Sequence, residues 1–198
     1  MKYFIGLLVG VLVAGGVYFG LNFGKNNSKN EGDSGTSSSS TTKTTEKSSS
    51  SAKVLDLSNQ GITKVGPEVY GKTDVTDLIL SNNSIRTLPS EMGKMTKVVV
   101  FKIDHNLLEG SLIGEIRQMS QLKVLDVSNN NMTGMPAEIG QLNKLETLNY
   151  SNNKITGLPN ELSNLKNNLK VFNLTGNPLS TEQIYKLKTS LPNTNIIF

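Results

Sequence analysis

One short phrase recurs along most of the chain at nearly constant intervals, and this repetition constrains the fold more than any other feature. Segments of the Leu-x-Leu type are followed three residues later by Asn in five of six cases. The second apolar residue of each segment is Leu57, Leu80, Ile103, Val127, Tyr150 or Leu174, at intervals of 23, 23, 24, 23 and 24 residues. A unit of this length cannot bury its apolar side alone and must pack against neighbouring copies. The spacing therefore predicts a solenoid of about six stacked repeats.

The Asn that follows each segment is predicted to be structural. The repeated positions are Asn83, Asn106, Asn130, Asn153 and Asn177, with Gln60 at that place in the first repeat. The chain turns away from the predicted strand here, and buried backbone groups at such a turn need hydrogen-bond partners. An Asn amide offers both donors and an acceptor. We therefore expect these side chains to bind backbone and not substrate.

The complete repeat resembles that of the leucine-rich repeat proteins. The pattern is LxxLxLxxNxL followed by LPxxIGxL, as in "LPSEMGKM", "MPAEIGQL" and "LPNELSNL". The resemblance covers residues 52–198. It implies an α/β solenoid that is curved and right-handed, with a parallel sheet on its concave face and a ladder of stacked Asn side chains. Within this pattern, the first repeat is atypical and the third lacks the Pro, so its return segment is expected to run differently.

The end of the repeat region is predicted to form a cap over residues 180–198. Ser180 and Gln183 fit a capping box at the start of a helix. Ile184, Leu187 and Leu191 follow at helical spacing. We expect a helix over about 181–190 and a final strand over 195–198, which together cover the open end of the core.

Two further segments precede the repeats. Residues 3–23 carry no charge, and a helix of that length spans about 30 Å, the thickness of a bilayer core. We interpret residues 1–24 as a transmembrane anchor, with a cleaved signal segment and a secreted product as the alternative. In residues 34–51, 14 of 18 are Ser or Thr. Because nothing there can be buried, residues 25–51 are predicted to be a disordered linker.

Partner binding is expected on the concave face, as the resemblance implies. The third repeat departs most from the others, since it has Asp104-His105 where the others mostly have Ser-Asn. The candidate binding residues are Asp77, Ile79, Lys102, Asp104, His105, Asp126 and Asn149. A bland alternative is a solvated strand surface that carries a cross-strand pair between Lys102 and an Asp.

Composition excludes several kinds of chemistry. The chain has no Cys and one His, so Cys-based zinc sites and multi-His metal sites are excluded. Neither a Gly-rich phosphate loop nor a paired-carboxylate motif is present, so we expect no enzyme activity, no cofactor and no metal. From Ala52 onward, 15 Lys and Arg face 13 Asp and Glu, a net charge of +2 that is spread along the sequence. Nucleic acid is therefore a disfavoured partner.

These features lead to one functional hypothesis and one alternative. The first is a single-pass module that is anchored in the cell membrane through residues 3–23 and holds its repeats outside the cell for recognition or adhesion. Its partner is expected to be a protein, with a glycan or cell-wall ligand as the second choice. The alternative is an intracellular scaffold or regulator of signalling proteins, because repeats of the LPxxIGxL type resemble those of such proteins.

Overall fold

The computed structural model describes residues 52–198. The predicted anchor at residues 1–24 and the predicted linker at residues 25–51 lie outside this range. Within residues 52–198, no helix is long and apolar enough to cross a membrane.

Nine short strands are present in the described region. In chain order they are β1 (Val54–Asp56), β2 (Asp77–Ile79), β3 (Val100–Lys102), β4 (Glu109–Gly110), β5 (Val124–Asp126), β6 (Asn131–Met132), β7 (Thr147–Asn149), β8 (Val171–Asn173) and β9 (Asn195–Ile197). Seven of them form one parallel sheet in the order β1-β2-β3-β5-β7-β8-β9. Each strand is thus one repeat further along the chain than its neighbour, which confirms the predicted solenoid. Strands β4 and β6 form a separate parallel pair that the sequence analysis did not anticipate.

The return segments of the repeats are short helices on the opposite side of the core. The first is a four-residue α-helix, α1 (Pro67–Tyr70), and the next four are 3-10 helices. Those four span Ser90–Lys94, Gly114–Gln118, Ala137–Gln141 and Asn160–Leu165. A residue in extended conformation precedes each 3-10 helix, and in three of the four cases it is Pro, which fixes φ near the required value.

The third repeat keeps this helix although it lacks the Pro. Ile113 occupies the place of the Pro with φ −65° and ψ 143°, close to the −74° and 144° of Pro136. The expectation that this return segment runs differently is therefore wrong for the helix itself. The difference lies earlier, where Gly110 has φ +67° and ends strand β4.

The core is a column of apolar side chains from successive repeats. The middle residues of the strands pair in register, so Leu78, Phe101, Leu125, Leu148 and Phe172 stack directly on one another. All five are fully buried. Neighbouring strands are about 4.8 Å apart, so each ring or isobutyl group rests on the next. The repeat spacing in the sequence thus becomes a continuous apolar interior.

Tyr150 is an exception within this core, because it places a hydroxyl where the other repeats place aliphatic groups. Its side chain is fully buried, and its hydroxyl has no hydrogen-bond partner among residues 52–198. Burial raises the pKa of Tyr150 far above its usual value, since the phenolate could not be solvated there. Tyr150 therefore stays neutral and contributes through its ring.

The repeated Asn side chains join each repeat to the one before it. Asn130 is representative: its Oδ1 accepts from the Leu108 amide at 2.9 Å. Its Nδ2 lies 3.1 Å from the Ile103 carbonyl oxygen of the preceding repeat and 3.0 Å from that of Val127 in its own repeat. Equivalent bonds are made by Asn83, Asn106, Asn153 and Asn177. By contrast, the Gln60 side chain donates within its own repeat, to the Ser58 carbonyl oxygen.

The last part of the chain forms a helix and a strand. Helix α2 spans Thr181–Ser190, and the Ser180 hydroxyl accepts from the Gln183 amide while the Gln183 side chain accepts from the Ser180 amide. Gln183 also donates to the carbonyl oxygen of Thr156 at 2.6 Å. This bond ties the helix to the preceding repeat. Strand β9 then ends at Ile197, one residue before the predicted boundary.

Candidate functional site

The candidate site is the open face of the parallel sheet, the face that points away from the core. Alternate residues of a strand point to opposite faces, so the first and third residues of each strand lie on the open face. The strand register arranges them in two columns. The first column contains Val54, Asp77, Val100, Val124, Thr147, Val171 and Asn195, and the second contains Asp56, Ile79, Lys102, Asp126, Asn149, Asn173 and Ile197.

The first column is rich in valine. Of its residues, only Asp77 was predicted from the sequence to belong to the site. Val54 is exposed, and Val100, Val124 and Val171 are partly exposed. The signal was present in the sequence, since Val stands one position before the first Leu-type residue in four of the six repeats. The open face is therefore partly apolar, a property that suits protein contacts.

Most polar residues of the second column accept hydrogen bonds from the turn that follows their own strand. The Asp126 Oδ1 accepts from the Ser128 amide at 3.0 Å and from the Ser128 hydroxyl at 2.7 Å. Its Oδ2 accepts from Asn149 Nδ2 at 3.1 Å. Asn149 in turn accepts from the amide and hydroxyl of Ser151. The predicted site residues Asp126 and Asn149 are thus joined to each other and to the turns that follow them.

The same turn at Asp56 shows the electrostatic effect of this arrangement. Its Oδ1 accepts from the Ser58 hydroxyl at 2.6 Å and from the Ser58 amide at 2.9 Å. These two bonds, the hydroxyl one first, lower the pKa of Asp56 because they stabilise the charged carboxylate. The Asp56 carboxylate therefore stabilises the turn that follows β1.

This pattern of hydrogen bonds is absent from the second and third repeats. The second-column residue there is Ile79 or Lys102, and neither side chain can accept a hydrogen bond from the turn. Ser81 has no such acceptor in its own strand, and its hydroxyl donates instead to Asp104 Oδ1 of the next repeat at 2.5 Å. The Asp104 Oδ2 lies 2.8 Å from His105 Nδ1. The Asp104 side chain is only 18% exposed, whereas that of His105 is 56% exposed. The Asp104 carboxylate therefore orients the imidazole toward solvent.

His105 has an unusual backbone conformation for its residue type. Its φ is +53°, in the left-handed region, and Asn59, Asn82, Asn129 and Asn152 have φ between 53° and 59° at the same place in their repeats. Asn enters this region more easily than most residues, which explains the first Asn in the repeated Ser-Asn-Asn sequence, whereas the second is the Asn that joins the repeats. In the third repeat this position presents a His ring at the rim of the open face.

Lys102 lies beside this break and has no described partner. It is exposed, and no ion pair or hydrogen bond joins its ammonium group to any side chain within residues 52–198. Asp126 is its register neighbour. No Lys102–Asp126 cross-strand pair is present within residues 52–198, where the Asp126 carboxylate accepts from Ser128 and Asn149.

The structure thus brings four side chains together around the ammonium group of Lys102. We refer to Asp77, Ile79, Val100, Lys102 and His105 as the Lys102 patch; the first four lie on the paired strands β2 and β3, and His105 lies just beyond β3. Asp126 and Asn149 lie one and two strands away. In residues 52–198, no three His, Asp or Glu side chains form a cluster that could hold a metal ion.

The stacked parallel strands, buried leucines and inter-repeat Asn bonds define a leucine-rich-repeat solenoid, a fold that typically serves as an interaction scaffold without enzyme activity. A comparison with family models agrees, because residues 117–179 match the family described as leucine rich repeat. The curated "Leucine-rich repeat and fibronectin type III domain-containing protein 1" of Danio rerio is 34% identical over 65 residues, which are 32% of this chain and 11% of that protein.

Solved structures show the same fold over most of the chain. A leucine-rich-repeat protein of Leptospira interrogans is 29% identical with a TM-score of 0.59, covering 74% of this chain and 43% of that one. The ectodomain of the membrane receptor kinase GASSHO1/SCHENGEN3 from Arabidopsis thaliana is 28% identical with a TM-score of 0.61, covering 73% and 18%. An internalin of Listeria monocytogenes is 26% identical with a TM-score of 0.57, covering 69% and 38%. The chain spans less than half the length of each of these proteins.

Proposed function

We propose that this chain is a membrane-anchored binding module that presents the open face of its repeat sheet to a protein partner outside the cell. The observation that carries the proposal is the Lys102 patch. Elsewhere on the second column, Asp56, Asp126 and Asn149 are tied to the turn of their own repeat. At the patch this pattern is broken: the Lys102 ammonium group, which makes no ion pair within residues 52–198, lies beside Ile79 and Val100, and the Asp77 carboxylate is at the other end of β2.

The patch suits a partner segment with one apolar and one acidic side chain. Ile79 and Val100 are partly exposed, and a bound partner would remove their apolar surface from water. Lys102 is the register neighbour of Ile79 and supplies a cation for a carboxylate. Such a pair gains strength when the surrounding apolar groups exclude water. Protein chains present this combination more readily than neutral glycans, which carry neither group.

The proposed location is supported by the sequence and by the named relatives. Residues 3–23 form an uncharged run of bilayer length, followed by a Ser- and Thr-rich stretch that suits a stalk. One similar structure is the ectodomain of a membrane receptor kinase, solved in complex with CASPARIAN STRIP INTEGRITY FACTOR 2. That ectodomain provides a precedent for a solenoid of this kind held outside a membrane with a bound partner. A repeat domain inside the cell remains the competing hypothesis.

The location is tested by the access of protease to the repeats on intact cells. The full chain is produced in its native host, cells are treated with protease, and an antibody against residues 52–198 follows the repeat domain. A cytosolic protein is followed in parallel as a control for cell integrity. We expect digestion of the repeats while the cytosolic control survives. Protection of the repeats until the cells are lysed would place them inside the cell and favour an intracellular scaffold.

A further inference from the structure

Lysines recur in the segments that lead into the strands. They are far apart in the sequence and lie along one border of the sheet in the structure. Lys53, Lys123 and Lys170 immediately precede β1, β5 and β8. Lys97 and Lys144 stand three residues before β3 and β7. We refer to these five residues as the lysine edge. The repeat period places them along one border of the sheet, although they are spread over more than one hundred residues of sequence.

Acidic residues neutralise only part of this border. Lys53 lies 2.5 Å from Asp74, whose pKa is lowered by Lys53 and, more weakly, by Lys97. Glu146 lies 2.5 Å from Lys170 and 3.3 Å from Lys123, and both lysines lower its pKa, Lys170 the more.

The border is more positive than the domain as a whole. The entry segments are residue 53 and the residues between each return helix and the strand that follows it. They also contain Lys72 and Lys166, so they carry seven lysines and two acids, Asp74 and Glu146, for a net charge of +5. The repeat region carries +2 in total, so the remainder carries −3. The charges are spread along the sequence, but the repeat period gathers the lysines at this border of the stacked repeats.

The spacing of the lysines suits an extended ligand. Neighbouring strands are about 4.8 Å apart, so the line from Lys53 to Lys170 crosses five strand intervals and is about 24 Å long. From Lys97 to Lys170 successive members precede neighbouring strands, whose spacing is below the screening length of about 8 Å at physiological salt, so their potentials add. Lys53 is two strand intervals, about 10 Å, from Lys97. A linear polymer that carries a negative charge about every 5–10 Å could contact several lysines at once.

Residue types in these segments narrow the ligand class. All the cations are Lys, which acts as a point charge, and none is Arg, whose fork selects particular anions bidentately. No aromatic residue lies in the segments, whereas single-stranded nucleic acid is usually held by aromatic stacking. Lys is also depleted from the cores of protein interfaces. These features favour an anionic polymer that has neither bases nor apolar side chains.

One part of the border has the groups needed for a sugar-like backbone. Lys123, Lys144 and Lys170 surround an open depression that is also lined by Asn143, Asn167, Asn168 and Glu146, the acid that pairs with Lys123 and Lys170. The Asn168 amide donates to the Asn143 carbonyl oxygen, whereas the side chains of Asn143 and Asn167 make no hydrogen bond within residues 52–198 and can bond hydroxyl groups. Lys144 Nζ lies 2.6 Å from the neutral Gln121 side-chain oxygen and makes no ion pair within residues 52–198.

We infer that the lysine edge is a second binding surface, distinct from the Lys102 patch, and that it takes a linear anionic polymer with a hydroxyl-bearing backbone, whose charge is carried by carboxylate, sulfate or phosphate groups. The charged groups of such a polymer would lie along the entry segments, with its hydroxyl groups toward Asn143 and Asn167. This surface does not depend on the proposed partner of the open face, and either can fail without the other.

The test measures binding of the full chain, purified in mild detergent, to immobilised polymers at low and at physiological salt. The probes are heparin for sulfate, polygalacturonate for carboxylate, polyphosphate for phosphate, poly(dT) for nucleic acid, and dextran as the uncharged polymer. One variant combines Lys123→Gln, Lys144→Gln and Lys170→Gln. Its control combines Lys64→Gln, Lys154→Gln and Lys188→Gln, which are exposed and lie elsewhere. Both variants lose the same charge, and circular dichroism verifies that both fold.

We expect binding to at least one anionic glycan or to polyphosphate, none to dextran, and a steep loss of affinity with salt. The edge variant should bind about tenfold more weakly or worse, while the control variant changes less than about twofold. The inference is overturned if no anionic polymer binds, or if both variants lose affinity equally. Tighter binding of poly(dT) than of every other polymer would assign the surface to nucleic acid instead.

Discussion

Replacing Asn130 with Ala is expected to lower the free energy of unfolding by about 3 kcal/mol, one of the two largest effects of any single change considered. The substitution removes the acceptor of the Leu108 amide and the donor shared by the carbonyl groups of Ile103 and Val127. These backbone groups are buried and cannot all reach water once the amide is gone. An unpaired buried group costs about 1–3 kcal/mol, and the new cavity adds to that cost.

Thermal and denaturant unfolding of the full chain, followed by circular dichroism, measures this effect. Asn131→Ala provides the matched control, because that side chain is adjacent and makes no hydrogen bond within residues 52–198, so a change within about 0.5 kcal/mol is expected. If the two variants unfold at the same denaturant concentration, the Asn side chains do not couple the repeats.

Gly140→Ala is expected to destabilise the domain by about 2–3 kcal/mol, because two return segments touch at this residue. A Cβ at Gly140 would overlap the backbone of Glu161, with the carbonyl carbon only 2.7 Å away. The 3-10 helices Ala137–Gln141 and Asn160–Leu165 would have to separate, since a backbone group cannot rotate aside as a side chain does. The Gly of the "EIGQ" phrase is thus explained by close packing of successive repeats.

Gly134→Ala is the control for this second prediction. A Cβ there would meet only the Ser111 side chain at 3.8 Å, an ordinary contact, so the variant should be neutral or slightly stabilised. Urea unfolding midpoints of the two variants and of the unchanged chain measure this difference in stability. Equal midpoints for Gly140→Ala and the unchanged chain would show that the helices can adjust freely.

Repeat spacing was sufficient to predict the architecture. The six Leu-type segments gave the positions of six strands, and the Ser180–Gln183 capping box gave the start of helix α2 at Thr181. Local rules worked here because each repeat meets the same environment above and below. The pairing of β4 with β6 was not predictable in this way, since it depends on main-chain bonds that many side chains would permit.

The candidate site was predictable in outline and not in detail. The strand pattern placed Lys102 and Asp126 on one face, yet only the side-chain contacts reveal that Asp126 accepts from Ser128 and Asn149 while Lys102 makes no ion pair within residues 52–198. The lysine edge was hidden for a different reason. Its members are far apart in sequence, so their proximity emerges only when the repeats are aligned in register.

The open face as a partner surface is tested most directly by photo-crosslinking in living cells. A photoreactive amino acid replaces Ile79 on the open face in one full-length chain, and Gln141, exposed at the end of a 3-10 helix, in another. We predict a discrete covalent adduct with a protein from position 79, strongly reduced when Lys102→Glu is added, and no such adduct from position 141. An adduct from position 141 alone, or one from position 79 that is unaffected by Lys102→Glu, would contradict the assignment of the Lys102 patch as the binding surface.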